Sequence, residues 1–248
     1  MSSVPAIDRV IDIFEAFQAS QRPMSLTDLA ETVGIPKSTC HAIVNTLVAR
    51  GYLYTLTRPR ALYPTRRMFD VARDIAAKDP LIERATPVLE RLRDATRETV
   101  ILGKRQGDSV IYLQVIEGLH AIRYTSKPGE FKPLHSSSIG KALLGSLKEA
   151  EMREWLKARE LPAVTSNTLT DPEVLIADVL ESRKLGYFVT RGENVGDVWA
   201  VAAFLTAHHE SLAVAVAGPQ HRLQDNVAEI ARLLIASCGF LSRQLVRD

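Results

Sequence analysis

Apolar residues at the start of the chain recur every three or four positions. Ile7, Val10, Ile11, Phe14 and Phe17 predict an amphipathic helix that Pro5 can open in its first turn. Gln21-Arg22-Pro23 breaks it. Ser25 then caps a short second helix, with Asp28 favouring its N-terminus and Leu26, Leu29 and Ala30 on its inner face. Gly34 supplies a turn that can use positive φ, Ile35 packs inward and Pro36 starts a third helix running to about Arg50. Cys40, Ile43, Val44 and Leu47 form one stripe of that helix, and Ser38, His41, Ala42 and Asn45 the opposite face. Gly51 ends it, and residues 52–54 and 61–63 read as two strands around Thr57-Arg58-Pro59-Arg60. A helix, a helix-turn-helix and a β-hairpin make a winged helix-turn-helix over residues 1–64. Met68, Phe69, Val71, Ala72 and Ile75 continue as a connecting helix within 65–79, and Asp79-Pro80 marks the domain boundary.

From residue 80 to 248 the pattern alternates. A helix over 81–97 precedes strands at 99–104, 110–117 and 121–126, then a loop over 127–133. Helices follow at about 138–147 and 149–159, and Thr170-Asp171-Pro172-Glu173 opens another, with Thr170 as capping residue, that ends at Gly186. Strands at 187–190, 198–206 and 211–217 and a helix over about 223–245 complete the chain. Strands in hairpins with helices packed on them predict an α+β domain with a mainly antiparallel sheet.

Composition narrows the function. With 46% hydrophobic and 24% charged residues the 248-residue chain has globular composition, and its net charge of +2 is uninformative. The most apolar stretch, 198–205, is too short to cross a bilayer, so no membrane partner is expected. Asp8, Arg9, Asp12 and Glu15 argue against a signal peptide, and two distant cysteines, Cys40 and Cys238, exclude a disulfide scaffold and fit a reducing cytoplasm. Charge distribution says more. Between Thr32 and Phe69 there is no Asp or Glu, while Lys37, Arg50, Arg58, Arg60, Arg66 and Arg67 all fall there, as a polyanion-facing surface requires. On a helix that enters the major groove, Lys37, Ser38, Thr39 and Arg50 would grip phosphates, with Arg58 and Arg60 reaching backbone from the wing. His41 and Asn45, one turn apart, are the candidates for base contacts; the competing reading of His41 is a solvated surface histidine.

Residues 25–39 (SLTDLAETVGIPKST) and Arg50-Gly51-Tyr52-Leu53 resemble the N-terminal signature of the IclR-type bacterial transcriptional regulators. His135-Ser136-Ser137-Ser138-Ile139-Gly140-Lys141, Thr168-Leu169-Thr170-Asp171-Pro172, Arg183-Lys184-Leu185-Gly186-Tyr187, Val201-Ala202-Ala203 and Gly218-Pro219 extend the resemblance over essentially the whole chain. It implies a GAF-like effector domain, a homodimer or homotetramer joined partly by the connecting helix, and a near-palindromic double-stranded DNA operator. Family members often carry Arg where Ala42 stands and a glycine in the wing tip, so no operator sequence carries over. Members that bind small keto or aldehyde acids resemble one another in lining the pocket with Asp, Cys and two Ser; the matching positions are Thr190, Ala200, Ala215 and Ala217. The loss of polar partners implies a less polar or larger effector, because a buried carboxylate needs them. Backbone N–H groups near Ser138 and Ile139 would take any anionic or carbonyl group. Trp199 either faces this cavity or is a core tryptophan.

No cofactor or metal is expected, and His208-His209-Glu210 reads as a solvated turn. Ser138-Ile139-Gly140-Lys141 has the S-x-x-K spacing of serine acyl-enzymes, but no S-D-N or K-T-G element accompanies it. Ser136 or Ser138 as a helix cap is the simpler account. A serine acyl-transfer enzyme and a winged helix used only for protein pairing are the rival functions.

Overall fold

The computed structural model describes residues 4–58, 60–207 and 210–245, and the chain divides into two compact units, residues 1–78 and 79–248. In the first, α1 (Pro5–Ser20), α2 (Leu26–Val33) and α3 (Lys37–Ala49) are followed by a hairpin, β1 (Leu53–Thr57) and β2 (Arg60–Pro64), and by α4 (Arg67–Ala76). Capping fixes α2 at both ends. Ser25 Oγ accepts from the Asp28 N–H, the Asp28 carboxylate accepts from the Ser25 N–H, and Gly34 closes the helix at φ 69°. Ile13, Phe17, Leu29, Cys40, Val44, Leu47, Leu53 and Leu62 bury together, and Met24 makes a bridge to Leu62 that ties the α1–α2 connection to the wing. Pro59 at the wing tip lies outside the described residues.

The second unit is built on a six-stranded antiparallel sheet in the order β5-β4-β3-β8-β7-β6. Its strands are β3 (Thr99–Gln106), β4 (Ser109–Ile116), β5 (Phe131–Pro133), β6 (Phe188–Arg191), β7 (Val198–Ala207) and β8 (Glu210–Pro219). One face packs on α5 (Pro80–Thr96) and α10 (Val227–Leu245), through Val100, Leu102, Val201, Val214 and Val216. The other face carries α6 (Ser138–Ser146), α7 (Glu149–Lys157) and α8 (Pro172–Leu185), over Ile101, Val110, Ala202, Ala213 and Ala215. β3, β7 and β8 thus bury residues on both sides.

Four expectations need correction. Residues 121–126 form no strand; Ile122 is 77% exposed, and the edge beside β4 is filled by β5, from the segment read as a loop. The last helix is broken at residues 224–226, where Asn226 Nδ2 donates to Arg222 O at 2.7 Å, giving α9 (Gln220–Leu223) and α10. Asp171, not Thr170, caps α8, accepting from the Glu173 and Val174 N–H groups. The cap of α6 is Ser137, which accepts from the Gly140 N–H at 3.1 Å, rather than Ser136 or Ser138.

Helix α6 lies tight on its surroundings because of two glycines. A Cβ on Gly140 would stand 2.1 Å from the Leu134 carbonyl oxygen, and one on Gly145 2.2 Å from the Phe188 ring. Gly140→Ala is therefore expected to destabilise the protein by at least about 1–3 kcal/mol in urea denaturation. Gly196→Ala, with nothing within 4 Å of the new Cβ, should stay within about 0.5 kcal/mol. Equal midpoints for the two variants would contradict this packing.

Candidate nucleic-acid interface and effector cavity

Helix α3 is buried along one side only, through Cys40, Val44 and Leu47. At about 100° per residue, Ser38, Ala42, Asn45 and Ala49 fall within a narrow arc of the opposite side, and all four are exposed. His41 borders this arc on the wing side. It joins Asn45, Val48, Thr55 and Arg60 in lining a groove of about 450 Å³, whose rim includes Ser25 and Thr27 at the start of α2. Asn45 Nδ2 lies 3.3 Å and 3.4 Å from the two ring nitrogens of His41. Lys37 and Ser38 are exposed in the first turn, Thr39 is half-buried on the far flank, and Arg50 is exposed as the C-cap of α3. Arg58 and Arg60 are exposed beside the wing tip. Sequence reasoning missed Ser25, Thr27 and Thr55, because the groove exists only once the wing folds back beside α3.

Helix α4 has none of its side chains buried. Phe69 lies between the guanidinium groups of Arg66 and Arg73, at 5.1 and 5.6 Å, and Asp70 pairs with both arginines. Met68, Val71 and Ile75 are exposed on α4, as are Val4, Ile7 and Ile11 around the start of α1.

In the second unit, Thr190, Ala200 and Ala217 stand opposite one another across β6, β7 and β8, with Ala202 and Ala215 as the next rung. These small side chains leave space beneath the start of α6. The resulting cavity is lined by Ser138, Thr190, Ala200, Ala215 and Ala217, together with Ile101, Tyr112, Tyr124, Ser137, Asn194, Val195 and Val198. It encloses about 30 Å³, room for no more than a few water molecules. Beside it opens a vestibule of about 810 Å³ that shares Tyr124, Val195 and Val198 with the cavity and carries Arg123, Lys132, Asp197 and His221.

No charged side chain lines the inner cavity. Burial pushes the Tyr112 phenol well up, helped by its hydrogen bond with Tyr124, so it stays a neutral hydrogen-bonding group. The Ser138 and Ile139 N–H groups precede the first intrahelical bonds of α6 and find no partner among the described residues. The Ile139 side chain itself turns away, to pack on Gly103. Trp199 does not face the cavity: strand alternation puts it on the other side of β7 from Val198 and Ala200, packed toward α5 and α10, with the Arg191 guanidinium 5.5 Å from its ring. Tyr112, Tyr124, Asn194 and Val195 had no sequence signal, since β4, the segment after it and the β6–β7 loop meet only through topology.

Lys141 is fully buried. Its Nζ lies 2.9 Å from Asp178 Oδ2 on α8 and 2.6 Å from Glu193 Oε2 in the β6–β7 loop. Burial pushes the Glu193 carboxyl up against the pull of Lys141. A carboxyl raised in this way favours the fold below its unfolded value and loses that contribution as pH rises through its folded value, so the lysine is what offsets the ionised form near neutrality. The same loop is held by Thr165 Oγ1 donating to Gly192 O, Thr168 Oγ1 donating to Glu193 O, and Asn194 Nδ2 donating to Ser136 Oγ at 3.0 Å. Lys141 Nζ is engaged by Asp178 and Glu193, and among the described residues no hydrogen bond joins it to the Ser138 hydroxyl, as an acyl-transfer pair would need. His135, a loop hydrogen-bonding residue, contacts Pro162 O through Nε2 at 2.9 Å. His208 and His209 lie outside the described residues. Among the described residues no helix is long and apolar enough to cross a membrane.

Residues 74–243 match the family described as "Bacterial transcriptional regulator IclR C-terminal", and residues 6–56 match the "IclR helix-turn-helix domain". The chain is 33% identical over 224 residues to the HTH-type transcriptional regulator BhcR of Paracoccus denitrificans, covering 90% of this chain and 80% of that protein. It is 27% identical over 238 residues to the transcriptional repressor IclR of Escherichia coli, covering 94% and 86%. The crystal structure of Thermotoga maritima IclR aligns with TM-score 0.81 at 24% identity, covering 96% and 99% of the two chains. An IclR homologue from Microbacterium hydrocarbonoxydans complexed with 4-hydroxybenzoate aligns with TM-score 0.75 at 23% identity, over the same shares. These families and curated relatives are transcriptional regulators.

Lys141→Met would leave the buried Glu193 carboxylate and the partly exposed Asp178 carboxylate without their shared cation and is expected to cost up to about 3–5 kcal/mol in urea denaturation followed by Trp155 and Trp199 fluorescence. Adding Asp178→Asn and Glu193→Gln should recover part of that loss. A single-variant cost below about 1 kcal/mol would show that the ion cluster does not hold the loop.

Proposed function

Because the chain belongs to the IclR family of bacterial transcriptional regulators, we propose that it is a cytoplasmic, ligand-responsive repressor binding a near-palindromic operator as a homodimer or homotetramer. The observation that carries the reading is the convergence of His41, Asn45 and Arg60 on one groove, inside a stretch of chain without acidic residues. Lys37, Ser38, Thr39 and Arg50 on α3 and Arg58 on the wing serve as phosphate contacts, and Asn45, beside His41, faces base edges. The exposed apolar stripes of α1 and α4 suit contact with a second copy, which would set two recognition helices about 34 Å apart or a multiple of it.

The effector enters the cavity under α6. Its polar end meets the Ser138 and Ile139 N–H groups and the Ser138 hydroxyl, and its body rests on Ala200, Ala215 and Ala217 beside Thr190. The floor offers apolar contact where a small polar acid needs hydrogen bonds, and the 4-hydroxybenzoate complex of the Microbacterium homologue fits an aromatic acid as the kind of molecule to try. Binding acts on DNA affinity through its differential affinity for two placements of the DNA-binding heads, joined through α4.

Replacing Lys37, Arg58 and Arg60 together with Ala should weaken DNA binding and flatten the log K against log salt slope by about 0.9 for each phosphate that is no longer neutralised. Unchanged retention on DNA would favour a winged helix that pairs only with protein. In thermal-shift titrations of the full chain, 4-hydroxybenzoate should raise the Tm more than glyoxylate or pyruvate at equal concentration. Tight glyoxylate or pyruvate binding would contradict the apolar floor as the basis of selectivity.

A further inference from the structure

The centre of the exposed face of α3 is made of short side chains: Ser38, Ala42, Asn45 and Ala49. The long side chains near it, Lys37, Arg50 and Arg60, stand at the two ends of the helix and on the wing. A helix with so low a central ridge can approach base edges closely, and a side chain as short as Asn45 reaches them only under that condition. Asn45 is also held. Its Nδ2 packs at 3.3–3.4 Å from both ring nitrogens of His41, one turn earlier on the wing side. An asparagine amide left alone turns freely about a broad terminal torsion and can present either its oxygen or its nitrogen. With Nδ2 turned toward the imidazole, Oδ1 and the second amide proton are left, in that order, for another partner. That order matches adenine, whose N6 donates and whose N7 accepts in the major groove.

Building on the operator-binding reading, we propose that Asn45 reads an adenine in each half-site, that His41 is the residue that positions its amide, and that the Ala42 methyl meets a thymine methyl beside it. Substitution of Ala42 by a longer residue would lift the helix off the bases and remove Asn45 from reach. His41 acts on specificity here rather than on affinity, since it makes no base contact of its own in this arrangement. Both side chains are exposed, so their removal leaves the core of the winged helix-turn-helix intact.

Selection from a randomised duplex library with the full chain tests this. The wild type should enrich half-sites with adenine at one fixed position next to a thymine. Asn45→Ala should lower the adenine preference there by about tenfold or more, with preferences elsewhere kept. His41→Ala should lower it several-fold while total DNA retention stays near wild type, and His41→Gln, whose side-chain oxygen can accept from Asn45 Nδ2, should restore it. Adenine preference unaffected by Asn45→Ala overturns the assignment, and preference intact in His41→Ala overturns the positioning role. A wild-type protein that enriches no sequence at all would instead overturn the operator-binding reading beneath it.

Discussion

One-sided burial of α3 is the constraint on which DNA recognition depends. Cys40, Val44 and Leu47 lock that helix against α1, α2 and the hairpin, and nothing in the unit covers the other side among the described residues. A helix fixed along one edge presents its opposite edge in a defined orientation, which lets a few short side chains act as a reading head. Flexibility there would cost specificity, because each base contact is worth only about 1–3 kcal/mol and depends on register. The wing repeats this logic: Leu53 and Leu62 anchor it in the same core, so Arg60 is placed beside His41 rather than swinging free.

In the larger unit the corresponding constraint is steric. Alanines at 200, 202, 215 and 217 lower the sheet surface, while Gly145 lets α6 close on Phe188 of β6 and Gly140 lets it close on the Leu134 backbone. What remains between them is a small polar-rimmed cavity, closed on one side by a loop tied to the buried Lys141. Tyr124, Val195 and Val198 line both this cavity and the vestibule beside it. The loop that carries Val195 is tied through Glu193 and Lys141 to α6 and α8.

Local signals were legible in the sequence. Ser25, Asp28 and Gly34 fixed the bounds of α2, and the acid-free window around α3 pointed to a polyanion before any fold was known. Where a feature depended on a distant partner, the chain alone misled. Ile122 and Tyr124 alternate as a strand would, yet no neighbouring strand accepts them, and three residues after a loop take that edge instead. The run Ser136-Ser137-Ser138 shows three possible caps, and only the approach of Pro133 O and Gly140 N to one hydroxyl selects Ser137. Trp199 is open between cavity and core in the sequence until the pairing of β7 with β8 fixes which face it occupies. Half the cavity wall was visible as the small residues of β7 and β8, and the other half, Tyr112, Tyr124 and Asn194, required the sheet order.

In the proposed function a rigid α3, with its wing, lies in the major groove of duplex DNA while the larger unit senses a small molecule. Hydroxyl-radical footprinting of the full chain on DNA from upstream of its own coding sequence addresses it most directly. Two protected segments are expected, their centres separated by about one helical turn or a whole multiple of it. Absence of any footprint even at low salt, where attraction to phosphates is strongest, would contradict it.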